Sequence, residues 1–282
     1  MRRSQEPKVC AQRRRTDDLL FPGSERFPML SFVGLGLWDE RSITIEGKEA
    51  IAAADHVYLE GYTSSLQGTT PADLEAYHDI SLTPLDRTDI EYAPDTLLSQ
   101  AETEHVAVLI GGDPMVSTTH VDLRLRAAER GIDVSIIHGV SIAAAAAGLA
   151  GLQNYRFGKA TTLPFPGTFG DRTVPESVRE TIERNLEAKL HTLVYLDISD
   201  DGEFLNGSEA AAALASVLDN RLGIVIAQAG SPSPTVVADR LDALASRDCG
   251  QALHILIIPG PLHDMEAAAL HAFAGAPDDI IE

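Results

Sequence analysis

The chain has 282 residues, 44% of them hydrophobic and 23% charged, the composition of an ordinary folded protein with ample core rather than a disordered or fibrous one. Its 22 Lys and Arg stand against 42 Asp and Glu, a formal charge of −20, and a body this acidic repels a phosphate backbone, so nucleic acid is not expected as a partner. Only four of the basic residues are lysines (Lys8, Lys48, Lys159 and Lys189), and an acidic, lysine-poor surface suits solvation in concentrated salt, which points to a halophilic cytoplasm.

Residues 1–28 lack periodicity, mix Arg, Asp and Pro, and carry seven basic and four acidic side chains. They are expected to be a disordered extension or the product of an upstream start, with Met29 as the functional beginning. Arg13, Arg14 and Arg15 are followed by no apolar region, so this is not a secretory signal. The longest apolar candidate, Val140 to Leu152, is alanine-rich and too short to span a bilayer, so no membrane partner is expected. Cys10 and Cys249 fit no disulfide framework, and the nine His include no His-Glu-x-x-His pair, so no metal is expected.

From Met29 onward, short apolar runs alternate with amphipathic stretches, the signature of α/β layers. Strands are expected at Leu30–Val33, His56–Glu60, Val106–Ile110 and Val134–Ile137, with helices at Ile43–Ala54, Asp95–Glu104 (N-capped by Asp95) and Ser117–Arg130. The unbroken run Val106–Ile110 fits a strand buried on both faces of a parallel sheet. An alanine-rich helix at Ser141–Ala150 requires close neighbours. Strands follow at Thr161–Phe165, His191–Ile198, Gly223–Ala227 and His254–Ile258, among helices at Pro175–Leu190, Ser208–Leu218, Arg240–Ser246 and from Asp264. The pattern predicts two α/β domains, residues 29–138 and 139–282, with a cleft between them.

Three turns draw attention. Gly34-Leu35-Gly36-Leu37-Trp38-Asp39 follows the first strand like a dinucleotide-binding turn, but Asp39 replaces the third glycine and its charge would oppose a pyrophosphate. A turn admitting a ligand without phosphates explains both the glycines and the aspartate. Gly111-Gly112-Asp113-Pro114-Met115-Val116 follows the most buried strand, where parallel sheets bind ligands and glycines let backbone approach closely. Asp113 suits ribose hydroxyls or an ammonium group, or else bonds its own turn. Ser117, Thr118 and Thr119 are available to cap the next helix, which favours the ligand role for Asp113. His138-Gly139-Val140-Ser141-Ile142 leads into the alanine run with Ser141 as N-cap, and alone it says little.

Together these turns, with Val57 to Ser64, Gly112 to His120, Asn154 to Lys159, His191 to Asp197 and His254 to Gly260, resemble the diphthine synthases across essentially all of Met29 to Glu282. That family lies within the tetrapyrrole-methylase-like class of S-adenosylmethionine methyltransferases. The resemblance implies two α/β domains of the tetrapyrrole methylase type, usually in a homodimer, with S-adenosylmethionine in the cleft between the domains. Carried over residue by residue, its cofactor contacts are Leu37, Asp113, Val116, Ser141, Ile142, Leu196, Ala229 and His254. Ala229 is the least distinctive match, and His254 would pass for an ordinary core histidine without the resemblance. His120, His138 and His263 are read as structural, and Tyr155 and Lys159 as a solvated loop. The implied protein partner is translation elongation factor 2, whose modified histidine carries an amino-carboxypropyl arm to be methylated on its amine. No metal or covalent nucleophile is needed, and the proton acceptor stays open between Asp113, Asp197 and solvent. The alternatives are a methyltransferase of this fold acting on a tetrapyrrole or corrin precursor, and a protein-binding module without activity.

Overall fold

The computed structural model describes residues 27–168, 173–199 and 201–281, so the expectation for the N-terminal extension lies almost wholly outside the described residues. Two five-stranded sheets carry the fold. The first contains β1 (Met29–Gly34), β2 (His56–Glu60), β3 (Leu82–Leu85), β4 (His105–Ile110) and β5 (Asp133–Ile137) in the order β3-β2-β4-β1-β5. Every pairing in it is parallel, with Leu30 opposite both Val106 and Val134. Central β4 is buried along its whole length. Its Val106, Val108 and Ile110 join one core with Leu30, Phe32 and Leu123, and its Ala107 and Leu109 join the opposite core with Val33, Ile51 and Ile137. Alternation across two buried faces is why the run reads as continuously apolar.

The crossovers are α1 (Ile45–Ala53), α2 (Pro71–His78), α3 (Asp95–Ala101) and α4 (His120–Glu129). Two expectations about their starts are corrected. Pro94, not Asp95, is the N-cap of α3, and Asp95 in the first turn instead pairs with Arg130. No hydroxyl caps α4: Ser117 turns to φ 57°, Thr118 Oγ1 donates to the Pro114 carbonyl (3.0 Å), and Thr119 Oγ1 donates to Glu91 (2.8 Å). These oxygens serve the preceding turn and a neighbouring element, so α4 begins three residues later than the expected Ser117.

The second sheet contains β6 (Thr161–Leu163), β7 (Thr192–Leu196), β8 (Leu222–Ala227), β9 (Thr235–Arg240) and β10 (His254–Ile258) in the order β6-β7-β10-β8-β9. Only β6 and β7 run parallel, and the other pairs are antiparallel. Leu256 and Ile258 of β10 face one core while Ile255 and Ile257 face the other. The covering helices are α5 (Ile142–Ala150), α6 (Glu176–Glu187), α7 (Gly207–Ala215), α8 (Leu241–Ala245) and α9 (Asp264–Ala274). Alanine lets α5 approach β8 and α9: Ala146 and Ala150 are fully buried against Ile224, Ile226 and Leu270. Gly151 ends α5 in the left-handed conformation (φ 74°), as a helix C-terminus favours.

A buried polar knot fastens α9 to the loops beneath the second sheet. The Glu266 carboxylate, fully buried, accepts from the Gln153 N–H (3.0 Å), the His263 N–H (3.0 Å), His191 Nε2 (3.1 Å) and Arg156. Burial works against its charge, but these donors outweigh it and hold the carboxyl down at about 2. His191 Nδ1 accepts from the Gly260 N–H (3.0 Å), and burial keeps the imidazole pKa low, which suits a neutral ring donating through Nε2. Among the described residues no helix is long and apolar enough to cross a membrane.

Candidate functional site

Three glycine-bearing turns meet at the carboxyl ends of β1, β4 and β5. Gly36 and Gly112 exchange backbone hydrogen bonds (Gly36 N–H to the Gly112 carbonyl 3.2 Å, the reverse 2.6 Å), both at positive φ. A Cβ on Gly139 would run into the Gly112 carbonyl oxygen and the Gly34 backbone, so the third turn packs directly on the other two. This knot sits beside β1, whose neighbours β4 and β5 lie on opposite flanks, the kind of place where open parallel sheets take ligands.

Between the knot and the second sheet lies a cleft of about 280 Å³, near the lower end of the range of roughly 300–1,000 Å³ usual for small-molecule pockets. All eight residues carried over by the resemblance line it: Leu37 after β1, Asp113 and Val116 after β4, Ser141 and Ile142 at the start of α5, Leu196 at the end of β7, Ala229 after β8, and His254 at the head of β10. They span more than two hundred positions of sequence. The Gly230 backbone (φ 90°) presses on Leu37, where a Cβ would meet the leucine Cβ at 2.7 Å, and so closes the second sheet's loop on the first.

Asp113 is 8% exposed, and both of its oxygens are engaged: Oδ1 accepts from the Met115 N–H (2.9 Å), and Oδ2 lies 2.7 Å from His138 Nδ1. The carboxylate therefore bonds its own turn while it faces the cleft, so both expected roles of Asp113 are compatible, although Ser117, Thr118 and Thr119 do not cap α4. His138, read as structural, is the partner that orients it. His120, also read as structural, is fully buried, sets Nδ1 2.9 Å from the Pro114 carbonyl and stacks on Phe32, so it fixes the Gly-Asp-Pro turn to β1. Asp39 does not face the cleft; it accepts from the Arg41 backbone and guanidinium (both 3.0 Å) inside its own turn. Ser141 caps α5 as expected, accepting from the Ala143 N–H at 3.2 Å.

His254 Nε2 lies 3.1 Å from the Gly250 carbonyl, which places the proton there and leaves Nδ1 an acceptor that is buried without a protein partner. Burial lowers the pKa of this imidazole and favours its neutral form. A Cβ on Gly112 would meet nothing within 4 Å, so that glycine leaves open space. A buried, unanswered lone pair, a carboxylate and a backbone stripped of side chains fit a ligand that carries N–H and O–H donors on an apolar body, as S-adenosylmethionine does.

Sequence reading singled out less of the remaining wall. Tyr62, Thr63, Ser64, Ser65, Arg87 and Tyr195 also line the cleft, as does Asp197, whose oxygens accept from the Ile198 (3.0 Å) and Phe165 (3.4 Å) N–H groups. Tyr62 to Ser64 had entered only as markers of resemblance, since hydroxyls on a loop carry no ligand signal of their own. Tyr155 and Lys159 do not line the cleft. Among the described residues no three His, Cys, Asp or Glu side chains are grouped to hold a metal ion.

Residues 29–245, which hold the first sheet, the second sheet except β10, the glycine knot and most of the cleft wall, match the family model of tetrapyrrole (corrin/porphyrin) methylases, a class of methyltransferases. The chain is 53% identical over 264 residues to "Diphthine synthase" of Halorubrum lacusprofundi, covering 90% of this chain and 100% of the relative. It is 54% identical over 260 residues to that of Halobacterium salinarum, with the same coverage. A solved structure described as "Crystal structure of diphthine synthase" superposes with a TM-score of 0.84 at 36% identity, covering 90% of this chain and 98% of the other. The chain belongs to the diphthine synthase branch of the tetrapyrrole methylase family.

Proposed function

We propose that the protein carries out the diphthine synthase reaction: S-adenosylmethionine-dependent, successive N-methylation, to the trimethylated form, of the 2-(3-amino-3-carboxypropyl)histidine in translation elongation factor 2. The observation that carries this reading is the convergence of eight family-matched residues, from Leu37 to His254, on one cleft. Leu37, Val116, Ile142, Leu196 and Ala229 supply its apolar surface, while Asp113, Ser141 and His254 supply polar groups or backbone at its turns. S-adenosylmethionine, when bound, supplies a methyl group already activated on a sulfonium sulfur. The chain's task is then placement: amine, methyl and sulfur held on one line account for most of the rate effect. The incoming amine must shed a proton, and Asp113 and Asp197 are the carboxylates facing the cleft. Each is already committed to N–H donors, so neither is assigned as the base, and water at the open mouth can take the proton.

In this reading the protein works as a homodimer in the cytoplasm, with residues 29–138 and 139–282 as its two domains, and its acidic surface is an adaptation to salt. The test is incubation of the purified protein in high salt with methyl-labelled S-adenosylmethionine, offering the precursor form of elongation factor 2 and, separately, a corrin precursor. Label on the factor supports the reading. Label on the corrin alone replaces it with the tetrapyrrole reaction, and failure to bind the cofactor leaves a binding module.

A further inference from the structure

The second sheet turns one face to the cleft. Ile142, Ile226 and Ile255 line the cleft and share one core, and Tyr195, opposite Ile255 in the register of β7 with β10, packs against that core. Leu196 points the other way: it lies opposite Leu163 of β6 and packs with the core on the far face, so the cleft meets its backbone. Alternation then returns Asp197 to the face of Tyr195. The Asp197 N–H donates to the Leu163 carbonyl (3.2 Å), which carries the ladder one residue past Leu196. An aromatic ring and a carboxylate thus reach the cleft from one face of the end of β7.

Asp113 and Asp197 are the two acids among the described residues lining the cleft, and they differ in what answers them. Asp113, on the first sheet, has the His138 imidazole at 2.7 Å and is matched to the cofactor. Asp197 is bonded by backbone alone: Oδ1 accepts from the Ile198 N–H (3.0 Å) and Oδ2 from the Phe165 N–H (3.4 Å). Among the described residues no Lys, Arg or His forms an ion pair with it. A carboxylate offers about four lone-pair sites, so room for a further donor remains. The Phe165 bond turns the group towards the β6 edge of the sheet, away from β10 and β8, at whose ends His254 and Ala229 stand. A half-buried carboxylate without a counter-charge, beside an aromatic ring, suits an ammonium group.

We propose that Asp197 holds the amine of the acceptor's amino-carboxypropyl arm and offsets the positive charge that arrives on it during methyl transfer. The assignment rests on the elongation factor reading. In each transfer the amine lone pair forms the N–CH3 bond while the S–CH3 electron pair stays on sulfur, so the charge passes from sulfur to nitrogen. The first two products release an N–H proton to water before the next transfer, and the quaternary third has none to release. A carboxylate fixed where that charge appears stabilises the transition state. The cofactor's methionyl end also bears an ammonium, but the turn of Asp197 towards β6, away from the other matched residues of this sheet, favours the acceptor.

The test compares wild type with D197N, D197S and D197E. S-adenosylmethionine affinity is measured by calorimetry, and initial rates on the amino-carboxypropyl form of elongation factor 2 are measured against pH. In D197N kcat/KM for the factor should fall about tenfold or more, the loss expected for one charged hydrogen-bonded pair, while cofactor affinity stays within about twofold. A carboxylate beside the bound amine favours its ammonium form, so removing it should move the acid limb of the kcat profile to lower pH. A merely structural carboxylate would leave that limb in place. The other titratable groups facing the cleft, Tyr62, Arg87, Asp113, Tyr195 and His254, are common to all the variants. D197E should recover part of the rate because it restores the charge. D197S leaves a hydroxyl oxygen for the Ile198 N–H and is read in place of D197N if the latter melts below wild type. Unchanged kcat/KM, or an acid limb that does not move, overturns the assignment while the methyltransferase reading stands. Loss of cofactor affinity with unchanged acceptor kinetics moves the carboxylate to the cofactor's ammonium and also overturns it. A wild-type protein that labels no factor overturns both readings.

Discussion

Asp113 Oδ2 and His138 Nδ1 lie 2.7 Å apart, so the turn after β4 and the turn after β5 are joined through a carboxylate that faces the cleft. With Oδ1 on the Met115 N–H, Asp113 sets the shape of the site as well as its charge. Replacing Asp113 by Ala should weaken S-adenosylmethionine binding about ten- to hundredfold, the worth of a charged hydrogen bond of about 1.5–3 kcal/mol, while the fold survives. Calorimetry on D113A and H138A separates the two roles. H138A should lose less affinity than D113A, and unchanged affinity in D113A would reduce Asp113 to a turn residue.

The glycines of the knot should fail for different reasons. Gly139→Ala drives a methyl into the Gly112 carbonyl and the Gly34 backbone, and overpacking of that kind costs about 1–3 kcal/mol or more. Gly112→Ala meets open space but must hold φ 75°, and its methyl reaches into the cleft. Thermal melts paired with calorimetry should show G139A losing stability, and G112A losing cofactor affinity out of proportion to its loss of stability. Equal melting temperatures for wild type and G139A would contradict the packing.

Acid should unfold the protein partly through Glu266. Its carboxyl falls from an ordinary 4.5 to about 2 on folding, so its stabilising contribution is complete above about pH 4.5 and disappears as pH falls towards 2. A shift of that size corresponds to about 3 kcal/mol. Glu266→Gln should be less stable than wild type at neutral pH, and the gap should shrink as the pH is lowered through that window. Denaturant melts at stepped pH measure it, and a gap independent of pH would contradict the ionised network.

Much of the framework was legible because burial leaves a plain mark in sequence. Val106–Ile110 read correctly as a doubly covered strand, and Ser141 before Ile142 as a helix cap. The elements missed were those whose residues look unlike their state: β3 contains Pro84, tolerated there because the strand lies at the sheet edge, α2 is short and buries only Leu74, and β9 carries Asp239 and Arg240. Beyond the glycine turns and Asp113, the site was legible only through resemblance. Leu37, Val116, Leu196 and Ala229 announce no chemistry, and their meeting depends on a topology that brings distant turns to one cleft. The Asp113–His138 pair and the Glu266–Gln153 bond join residues 25 and 113 positions apart, which local pattern cannot foresee.

The charge of −20, unhelpful to nucleic acid, gives little steering towards a protein substrate in strong salt, where the screening length is roughly 3 Å at molar concentration. Rates on elongation factor 2 should therefore respond weakly to added salt at constant fold, as measured by kcat/KM between molar salt concentrations. A steep decline would show that long-range attraction drives the encounter.

The most direct measurement is mass spectrometry of the modified-histidine peptide of elongation factor 2 after incubation with this protein and S-adenosylmethionine. Stepwise addition of methyl groups to the amino-carboxypropyl arm, ending at the trimethylated form and slowed at limiting cofactor when the cleft residue Asp113 is changed to Ala, is the predicted result. A peptide that gains no methyl group while the wild-type protein is folded and cofactor-bound would contradict it.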